Sequence, residues 1–185
     1  HNAAVHRGAH QLAEEATDAY ESARLKVAQF LGAREEQIVF TKGATESLNL
    51  IAYAMGNAAP GTRFALTAKD KIVVTEMEHH ANLIPWQQLV ARAGVQLSWF
   101  EVTPDGRLDL SNINSVITEN TKVVALTHQS NVLGTINPLK AIVARAHAVG
   151  AVVVLDACQS APHMPIDVKE LDVDFLVFSG HKALG

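Results

Sequence analysis

The hydrophobic positions in the first part of the chain follow a helical period. Between residues 9 and 31, apolar side chains recur at steps of three and four, at Leu12, Ala16, Tyr20, Ala23, Val27 and Phe30. This spacing predicts an amphipathic helix that ends near Gly32. The stretch QIVFT then predicts a short strand, and KGATESLNLIAYAMG predicts a glycine turn leading into a second helix that ends near Gly56.

Four apolar runs later in the chain show little alternation with polar residues. KIVVT, KVVALT, AVVVLD and DFLVF are rich in β-branched residues, a pattern typical of strands covered on both faces. Helical stretches near 81–93 and 138–149, with a shorter one near 111–118, separate these strands, and VQLSWFEV adds a further strand. Strands alternating with helices predict an α/β fold with a doubly wound, mainly parallel sheet and helices on both of its faces.

Composition narrows the class of protein. With 185 residues, 48% hydrophobic and 18% charged, the chain has the composition of a soluble globular domain that needs no disulfides. The net charge of -4 without a Lys/Arg-rich run argues against nucleic acid as a partner. No apolar run approaches the roughly 20 residues that span a bilayer, so no membrane partner is expected. The single cysteine, Cys158, suits a reducing compartment, and we expect a cytoplasmic protein.

Polar and ionisable side chains follow each predicted strand. They are Glu76, Glu78, His79 and His80 after the first run, His128, Gln129, Ser130 and Asn131 after the second, Asp156 and Gln159 after the third, and Ser179, His181 and Lys182 after the fourth. Open α/β sheets bind ligands outside the carboxyl ends of their strands. Loops are polar in general, but four segments that deliver such groups to one edge predict a ligand site there.

Asp156 directly ends an aliphatic run, where an unpaired carboxylate is unfavourable to bury. It needs a cationic or hydrogen-donating partner. A helix cap or a structural salt bridge would satisfy this need, and so would the protonated nitrogen of a ligand. The residue alone does not distinguish these alternatives.

The segment TKGATES offers a second kind of group. Gly43, Ala44 and Thr45 lie where a strand turns into a helix, and the N–H groups and dipole of a helix start favour phosphate. The P-loop spacing is absent, and a threonine at such a position is more often only a cap.

Lys182 completes a set of groups that suits one cofactor. A lysine whose pKa is lowered can form a Schiff base with a carbonyl group. Pyridoxal 5'-phosphate requires a lysine for its aldehyde, an acid for its pyridinium nitrogen, donors for its phosphate and a group on its ring face. The chain offers all of these, so pyridoxal phosphate is the expected cofactor.

The chain resembles a known family: the SufS-type (group II) cysteine desulfurases and selenocysteine lyases, in the class V aminotransferase group of pyridoxal-phosphate enzymes. The matching stretches run in order along the whole chain: NAAVHRGAH, TKGATESLNL, EMEHHANLIPWQ, HQSNVLGTINP, DACQSAPHMPIDV and FSGHK. The resemblance implies a fold type I large domain over residues 1–185. It also implies L-cysteine or L-selenocysteine as substrate, a homodimer, and a sulfur-acceptor protein that serves iron–sulfur cluster assembly or other sulfur delivery.

The resemblance also assigns roles to residues. Lys182 would form the Schiff base and move protons at the substrate's α-carbon, Asp156 would pair with the pyridinium nitrogen, and His79 would stack on the ring and take part in proton transfer. His80 has a weaker claim. The remaining cofactor contacts implied are Asn131 and Gln159 at the phenolic oxygen, and Gly43, Ala44, Thr45, Ser179 and His181 at the phosphate. The substrate entrance would be lined by His6, Arg7 and Asn131.

The chain departs from the family pattern in what it lacks. It has no initiator Met, and the family's first strands, its small C-terminal domain, its sulfur-accepting cysteine and its substrate-binding arginine are not found. We therefore expect a piece of a longer protein, which alone would not complete turnover. Cys158 lies two residues after Asp156, where the family has a small residue, and is interpreted as packing beside the cofactor rather than as a nucleophile.

Other interpretations remain open from the sequence. His79 and His80 are adjacent and lack the spacing of a helical zinc motif, so no metal is expected. An aminotransferase, a kynureninase-like lyase or a catalytically incomplete cofactor-binding fragment would share much of this pattern, because a fold and its cofactor site do not fix the reaction. EHHAN and SNVLGT favour the desulfurases.

Overall fold

The computed structural model describes residues 4–183. The helices are α1 Gln11–Phe30, α2 Ala44–Gly56, α3 Ile84–Ala93, α4 Ile113–Val116, α5 Leu139–Ala148 and α6 Val168–Leu171, and the strands are β1 Lys71–Thr75, β2 Gln96–Phe100, β3 Thr121–Thr127, β4 Val152–Asp156 and β5 Phe175–Val177. Short 3-10 turns lie at Glu35–Gln37, His80–Asn82 and Gly180–Lys182. The chain forms two compact units: one runs to Phe40 and includes Pro165–Glu170, and the other comprises Thr41–Met164 and the residues from Leu171 onward.

The first unit is built on α1, which confirms the helix predicted near residues 9–31. His10 caps its start, since its Nδ1 accepts a hydrogen bond from the N–H of Ala13 at 3.3 Å. Gly32 follows the helix with a φ of 67°, a left-handed conformation that glycine adopts without strain.

The strand predicted for QIVFT is wrong. Glu35–Gln37 forms a 3-10 turn, and residues 38–41 have no regular secondary structure. A strand requires a neighbouring strand to accept and donate its backbone hydrogen bonds. Here the carbonyl of Ile38 is instead bonded by the guanidinium of Arg24, and the ring of Phe40 packs edge-on against Tyr20 at 5.1 Å.

The second unit contains a five-stranded sheet in the order β2-β1-β3-β4-β5, with every neighbouring pair parallel. The predicted parallel α/β architecture is therefore confirmed. Thr127 at the end of β3 pairs with Asp156 at the end of β4, and Asp156 pairs in turn with Val177 of β5. This register brings the last residues of three strands to one edge of the sheet.

Both faces of the sheet are covered, as the unbroken apolar runs predicted. Val73, Val124 and Val153 point into one core, together with Leu139 and Ile142 from α5. The residue before each of these valines faces the opposite core, which includes Leu48 of α2 and Trp86 of α3. These residues are Ile72, Val123 and Val152. Because successive side chains of a strand alternate in direction, a strand buried on both sides must be apolar throughout.

The helices give no indication of a bilayer-spanning segment. Among residues 4–183, no helix is both long enough and apolar enough to cross a membrane.

Candidate functional site

A cavity of about 260 Å³ lies at the carboxyl edge of the sheet in the second unit. Its walls come from the start of α2 and from the loops after β1, β3, β4 and β5; the lining residues are Ala44, Thr45, His79, Ala81, Thr127, Gln129, Asn131, Asp156, Cys158, Gln159, Ser179, His181 and Lys182. Every site residue predicted in this unit lines the cavity except Gly43, which directly precedes Ala44. The residues predicted for a ligand site in this unit therefore lie together, and their individual roles stay predictions.

Asp156 is the one acidic residue among those that line the cavity. Its side chain is 4% exposed, and its Oδ1 accepts the N–H of Cys158 at 2.9 Å. Within residues 4–183, no Lys, Arg or His nitrogen lies within 4.0 Å of the carboxylate, so no salt bridge in this part of the chain accounts for it. The second oxygen, Oδ2, accepts no hydrogen bond from the described residues and remains available to a ligand.

The start of α2 forms a donor-rich wall of the cavity. The N–H of Ala44 donates to the Oγ of Ser179 at 3.0 Å, which joins the helix start to the loop after β5. Gly43 has a φ of 147°, and a Cβ at this position would approach the Ser179 Oγ to 3.3 Å. Only glycine fits here without strain, and the first turn of any α-helix presents N–H groups without intrahelical partners. The arrangement suits an anionic group.

Lys182 lies at the end of the 3-10 turn Gly180–Lys182, which the N–H of Lys182 closes onto the carbonyl of Ser179 at 3.1 Å. The side chain is exposed and reaches the cavity lining. No carboxylate oxygen of the described residues lies within 4.0 Å of its Nζ. The amine is thus accessible and uncommitted, as a nucleophile must be.

His79 lies in the turn after β1 and contributes an exposed ring to the cavity. Its Nδ1 accepts the N–H of Ala81 at 3.1 Å. His80 contacts His79 edge-on with ring centroids 6.2 Å apart and lines a neighbouring cavity rather than this one. The two adjacent histidines therefore have different surroundings.

The sequence did not identify Thr127, and it named Gln129 only among the polar residues after the strands without giving it a role, although both line the cavity. Gln129 is half-buried, and its buried Oε1 has no hydrogen-bond partner among the described residues. Both follow or end the run KVVALT, so the signal that identified Asn131 applied to them as well. The pairing of Thr127 with Asp156 across the sheet is what places them beside the acid.

His6 and Arg7, predicted at the substrate entrance, belong to the first unit. There the His6 Nε2 lies 2.8 Å from the Glu21 Oε1, and the N–H of His6 donates to the Thr17 Oγ1 at 3.0 Å. These contacts describe His6 within its own unit. The entrance role of both residues stays a prediction.

Glu78, to which the sequence motifs assign no role, makes several hydrogen bonds beside the cavity. Its carboxylate accepts hydrogen bonds from the Thr75 hydroxyl at 2.6 Å, the Thr127 N–H at 2.9 Å and the Asn82 side-chain amide at 2.6 Å. Burial of the carboxyl group raises the pKa of Glu78 to about 8, although these three hydrogen bonds favour the charged form. Glu78 therefore supports the cavity from behind its lining, through its bond to Thr127.

Metal-ligand geometry is not found in the described residues. Within residues 4–183, no three His, Cys, Asp or Glu side chains come together in a way that could hold an ion.

Cys158 is half-buried, with its Sγ 3.9 Å from the Ser179 Oγ. Burial, together with the neighbouring Asp156 carboxylate, raises the pKa of the Cys158 thiol to about 12. Since the thiolate is the nucleophilic form, the thiol is almost entirely unreactive near neutral pH.

We expect Cys158 to be alkylated by iodoacetamide at about pH 8 on the order of a thousandfold more slowly in the folded protein than in the urea-unfolded protein. The reason is the small thiolate fraction that the raised pKa leaves. Mass spectrometry of the peptide that contains Cys158, sampled over time, gives both rates. Equal rates would show that the thiol is exposed and ionised, contrary to this prediction.

A family model described as aminotransferase class-V matches residues 1–185. The chain belongs to the class-V aminotransferase family.

Within this family the similarity points to cysteine desulfurases. The chain is 56% identical over 187 residues to the probable cysteine desulfurase 2 of Mycobacterium leprae, covering 100% of this chain and 43% of that protein. It matches the apo structure of the cysteine desulfurase from Thermococcus onnurineus NA1 with a TM-score of 0.90 and 46% identity, covering 98% of this chain and 44% of that one. It also matches the structure of SspA in complex with cysteine, with a TM-score of 0.81 and 30% identity over 95% of this chain and 49% of that one.

These findings confirm the resemblance to cysteine desulfurases and the pyridoxal-phosphate fold. Class-V aminotransferases and cysteine desulfurases are pyridoxal-phosphate enzymes, so the expected cofactor is that of the family. The chain spans less than half the length of the curated relatives it matches.

Proposed function

We propose that the protein containing this chain is a pyridoxal-phosphate-dependent cysteine desulfurase, and that residues 1–185 belong to its cofactor-binding large domain. The observation that carries this proposal is the meeting of three groups in one cavity: the Asp156 carboxylate, the α2 start with Ser179, and the Lys182 amine. The family membership and the desulfurase relatives support the same reaction.

The described residues fit the cofactor by their chemistry. A phosphate is an anion that suits the helix start at Gly43 to Thr45, with Ser179 and His181 beside it. The Gly43 N–H donates to the Thr41 Oγ1 and the Ala44 N–H to the Ser179 Oγ, so these two groups would have to share or exchange their bonds with a phosphate. A pyridinium nitrogen suits the uncommitted Oδ2 of Asp156, and an aldehyde suits the accessible amine of Lys182. The buried Oε1 of Gln129 has no hydrogen-bond partner among the described residues, so the cavity also offers a free hydrogen-bond acceptor to a ligand.

When bound, pyridoxal phosphate supplies an aldehyde that condenses with amines and a ring that withdraws electrons from the substrate's α-carbon. The chain's residues complement this chemistry. Lys182 would hold the aldehyde carbon and move the proton at the α-carbon, and Asp156 would keep a proton on the ring nitrogen. His79 would cover the ring face, and Asn131 and Gln159 would donate to the phenolic oxygen.

The net reaction converts L-cysteine to L-alanine while the substrate sulfur passes to an enzyme thiolate, which becomes a persulfide. Cys158 does not suit this thiolate role, because its pKa is raised to about 12. The accepting cysteine and the arginine that binds the substrate carboxylate are assigned to residues other than those of this chain.

Finer aspects of the proposal have their own support. EHHAN and SNVLGT favour the SufS type, which delivers sulfur to an acceptor protein for iron–sulfur clusters. Exposed apolar side chains after β3, Val132 at 81%, Leu133 at 52% and Ile136 at 55%, favour a homodimer or another protein contact. The single cysteine of the chain favours a cytoplasmic location.

The test is to incubate the complete protein with pyridoxal phosphate, L-cysteine and a reductant. We expect equal amounts of alanine and sulfide, measured by chromatography and by methylene-blue formation. Sulfide without alanine, or a 2-oxo acid in place of alanine, would contradict desulfuration and indicate another class-V reaction. L-selenocysteine as a second substrate shows which of the two amino acids is preferred.

A further inference from the structure

Glu78 connects parts of the second unit that are far apart in sequence. Its Oε1 accepts the hydroxyl of Thr75, the last residue of β1, and the N–H of Thr127, the last residue of β3. Its Oε2 accepts the Nδ2 amide of Asn82 in the following turn. One carboxylate thus joins two strand ends and the turn that contains His79.

The connection continues from Asn82 to α3. The Asn82 Oδ1 accepts the indole N–H of Trp86 at 3.0 Å, and both side chains are fully buried, each 0% exposed. With Trp86 donating to Oδ1, the amide of Asn82 must present its NH₂ group to Glu78. The direction of every hydrogen bond around Asn82 is therefore determined, and Glu78 must supply an acceptor.

The turn held in this way fixes the ring of His79. The N–H of Asn82 donates to the carbonyl of His79 at 2.8 Å, and the N–H of Ala81 donates to the His79 Nδ1 at 3.1 Å. A nitrogen that accepts a hydrogen bond from a backbone N–H has no proton of its own. In the neutral ring the proton therefore lies on Nε2, which makes no hydrogen bond with the described residues.

We propose that Glu78 is a positioning residue, which holds the turn at His79–Asn82 so that His79 adopts the tautomer with its proton on Nε2. The proposal rests on the proposed function where it places His79 beside the cofactor. In this tautomer His79 donates a hydrogen bond through Nε2. To accept a proton at Nδ1, the ring must first lose its bond to the N–H of Ala81.

The decisive variant is Glu78→Gln. Glutamine keeps one acceptor for Thr75 and Thr127, but it directs an NH₂ group at the NH₂ group of Asn82. If Asn82 rotates its amide to avoid this conflict, the Trp86 N–H loses its acceptor. Either way one buried hydrogen bond is broken, and the turn is no longer held.

A second substitution restores the pattern. In Glu78→Gln with Asn82→Asp, the aspartate accepts hydrogen bonds from both the glutamine amide and the Trp86 N–H. The double variant keeps one carboxyl group and the number of hydrogen bonds in this cluster. Glu76→Gln is the matched control, because Glu76 lies in the same loop but accepts a hydrogen bond from the N–H of Val102 on the other side, at 2.8 Å.

The first readout is ¹⁵N NMR of histidine-labelled complete protein without cofactor, with His79→Asn used to assign the signal. We expect the Nε2–H tautomer at His79 in the wild type, the Glu76→Gln variant and the double variant, and a mixture of tautomers in Glu78→Gln. A mixture in the wild type overturns the proposal, and so does an unchanged signal in Glu78→Gln. A double variant that folds without restoring the signal also overturns it.

The second readout is alanine formation by the cofactor-loaded protein. Glu78→Gln should lower kcat about tenfold, the ratio expected for one lost buried hydrogen bond, with KM changed little. The double variant should recover most of the loss, and Glu76→Gln should match the wild type. Since the NMR signal is measured without cofactor, failure of the proposed function would remove this activity and leave the tautomer result intact.

Discussion

Replacement of Lys182 by alanine should remove the visible absorption of lysine-bound pyridoxal phosphate and lower kcat for alanine formation by more than about a thousandfold. In the proposed function the Lys182 amine is the nucleophile for the aldehyde: it is exposed, reaches the cavity lining, and has no carboxylate of the described residues within 4.0 Å. Alanine removes the covalent bond and the group that moves the α-proton. The measurements are an absorption titration with the cofactor and an alanine assay.

Two further variants make this result specific. Lys182→Arg keeps the positive charge but cannot condense with an aldehyde, so it should lose the absorption band as completely as alanine does. Lys140→Ala changes an exposed lysine at the start of α5 and should retain both the band and the activity. A band of wild-type intensity in Lys182→Ala would show that another amine holds the cofactor.

The substitution Asp156→Asn should have opposite effects on the cofactor-free and the cofactor-bound protein. Without cofactor, the wild type buries a carboxylate that is 4% exposed and accepts one hydrogen bond, from the Cys158 N–H. Asparagine keeps an acceptor for that N–H and removes the charge. Relief of about 1 kcal/mol of desolvation should raise Tm by roughly 2–4 °C in a protein of this size.

With cofactor, the same substitution should be harmful. In the proposed function the carboxylate favours a proton on the ring nitrogen, and its loss should lower kcat on the order of a hundredfold. It should also reduce the increase in Tm that saturating cofactor gives, because that increase depends on affinity. Thermal denaturation with and without pyridoxal phosphate measures both effects.

Asp105→Asn, which neutralises a carboxylate outside the cavity, serves as the control for net charge. It should change neither the cofactor-dependent rise in Tm nor kcat. If Asp156→Asn lowered the Tm of the cofactor-free protein, the carboxylate would be needed for folding, and the assignment of its free oxygen to a ligand would be wrong.

The fold of the second unit could be predicted from its sequence because burial on both faces leaves a direct mark. Strands such as KVVALT and AVVVLD must be apolar at every position, and the helices between them must return the chain to the same end of the sheet. The positions where those runs become polar then identified the cavity. QIVFT carries a similar β-branched signal, but the Arg24 side chain takes the Ile38 carbonyl, and no local pattern announces such a contact.

The hydrogen bonds of Glu78 and Asn82 behind the cavity lining could not be predicted from the sequence. Glu78 directly precedes two histidines, and the motif EHHAN indicates a role only for the histidine rings. The contribution of Glu78 depends on its bond to the N–H of Thr127, which is 49 residues away in sequence. The orientation of the Asn82 amide depends in turn on Trp86. Such contacts depend on register between strands and on side-chain direction, which composition and spacing do not specify.

The bond between the Ala44 N–H and the Ser179 hydroxyl has a consequence for biosynthesis. Its two partners are separated by 135 positions. The contact at the start of α2 therefore forms only after almost all of the described chain has been synthesised. Contacts this distant in sequence form late, because the intervening loop must first be closed. On the ribosome, α2 and the first strands emerge long before Ser179 does. In the proposed function, a cofactor held at this helix start can therefore bind only after that contact has formed, and it does not template the early folding of this unit.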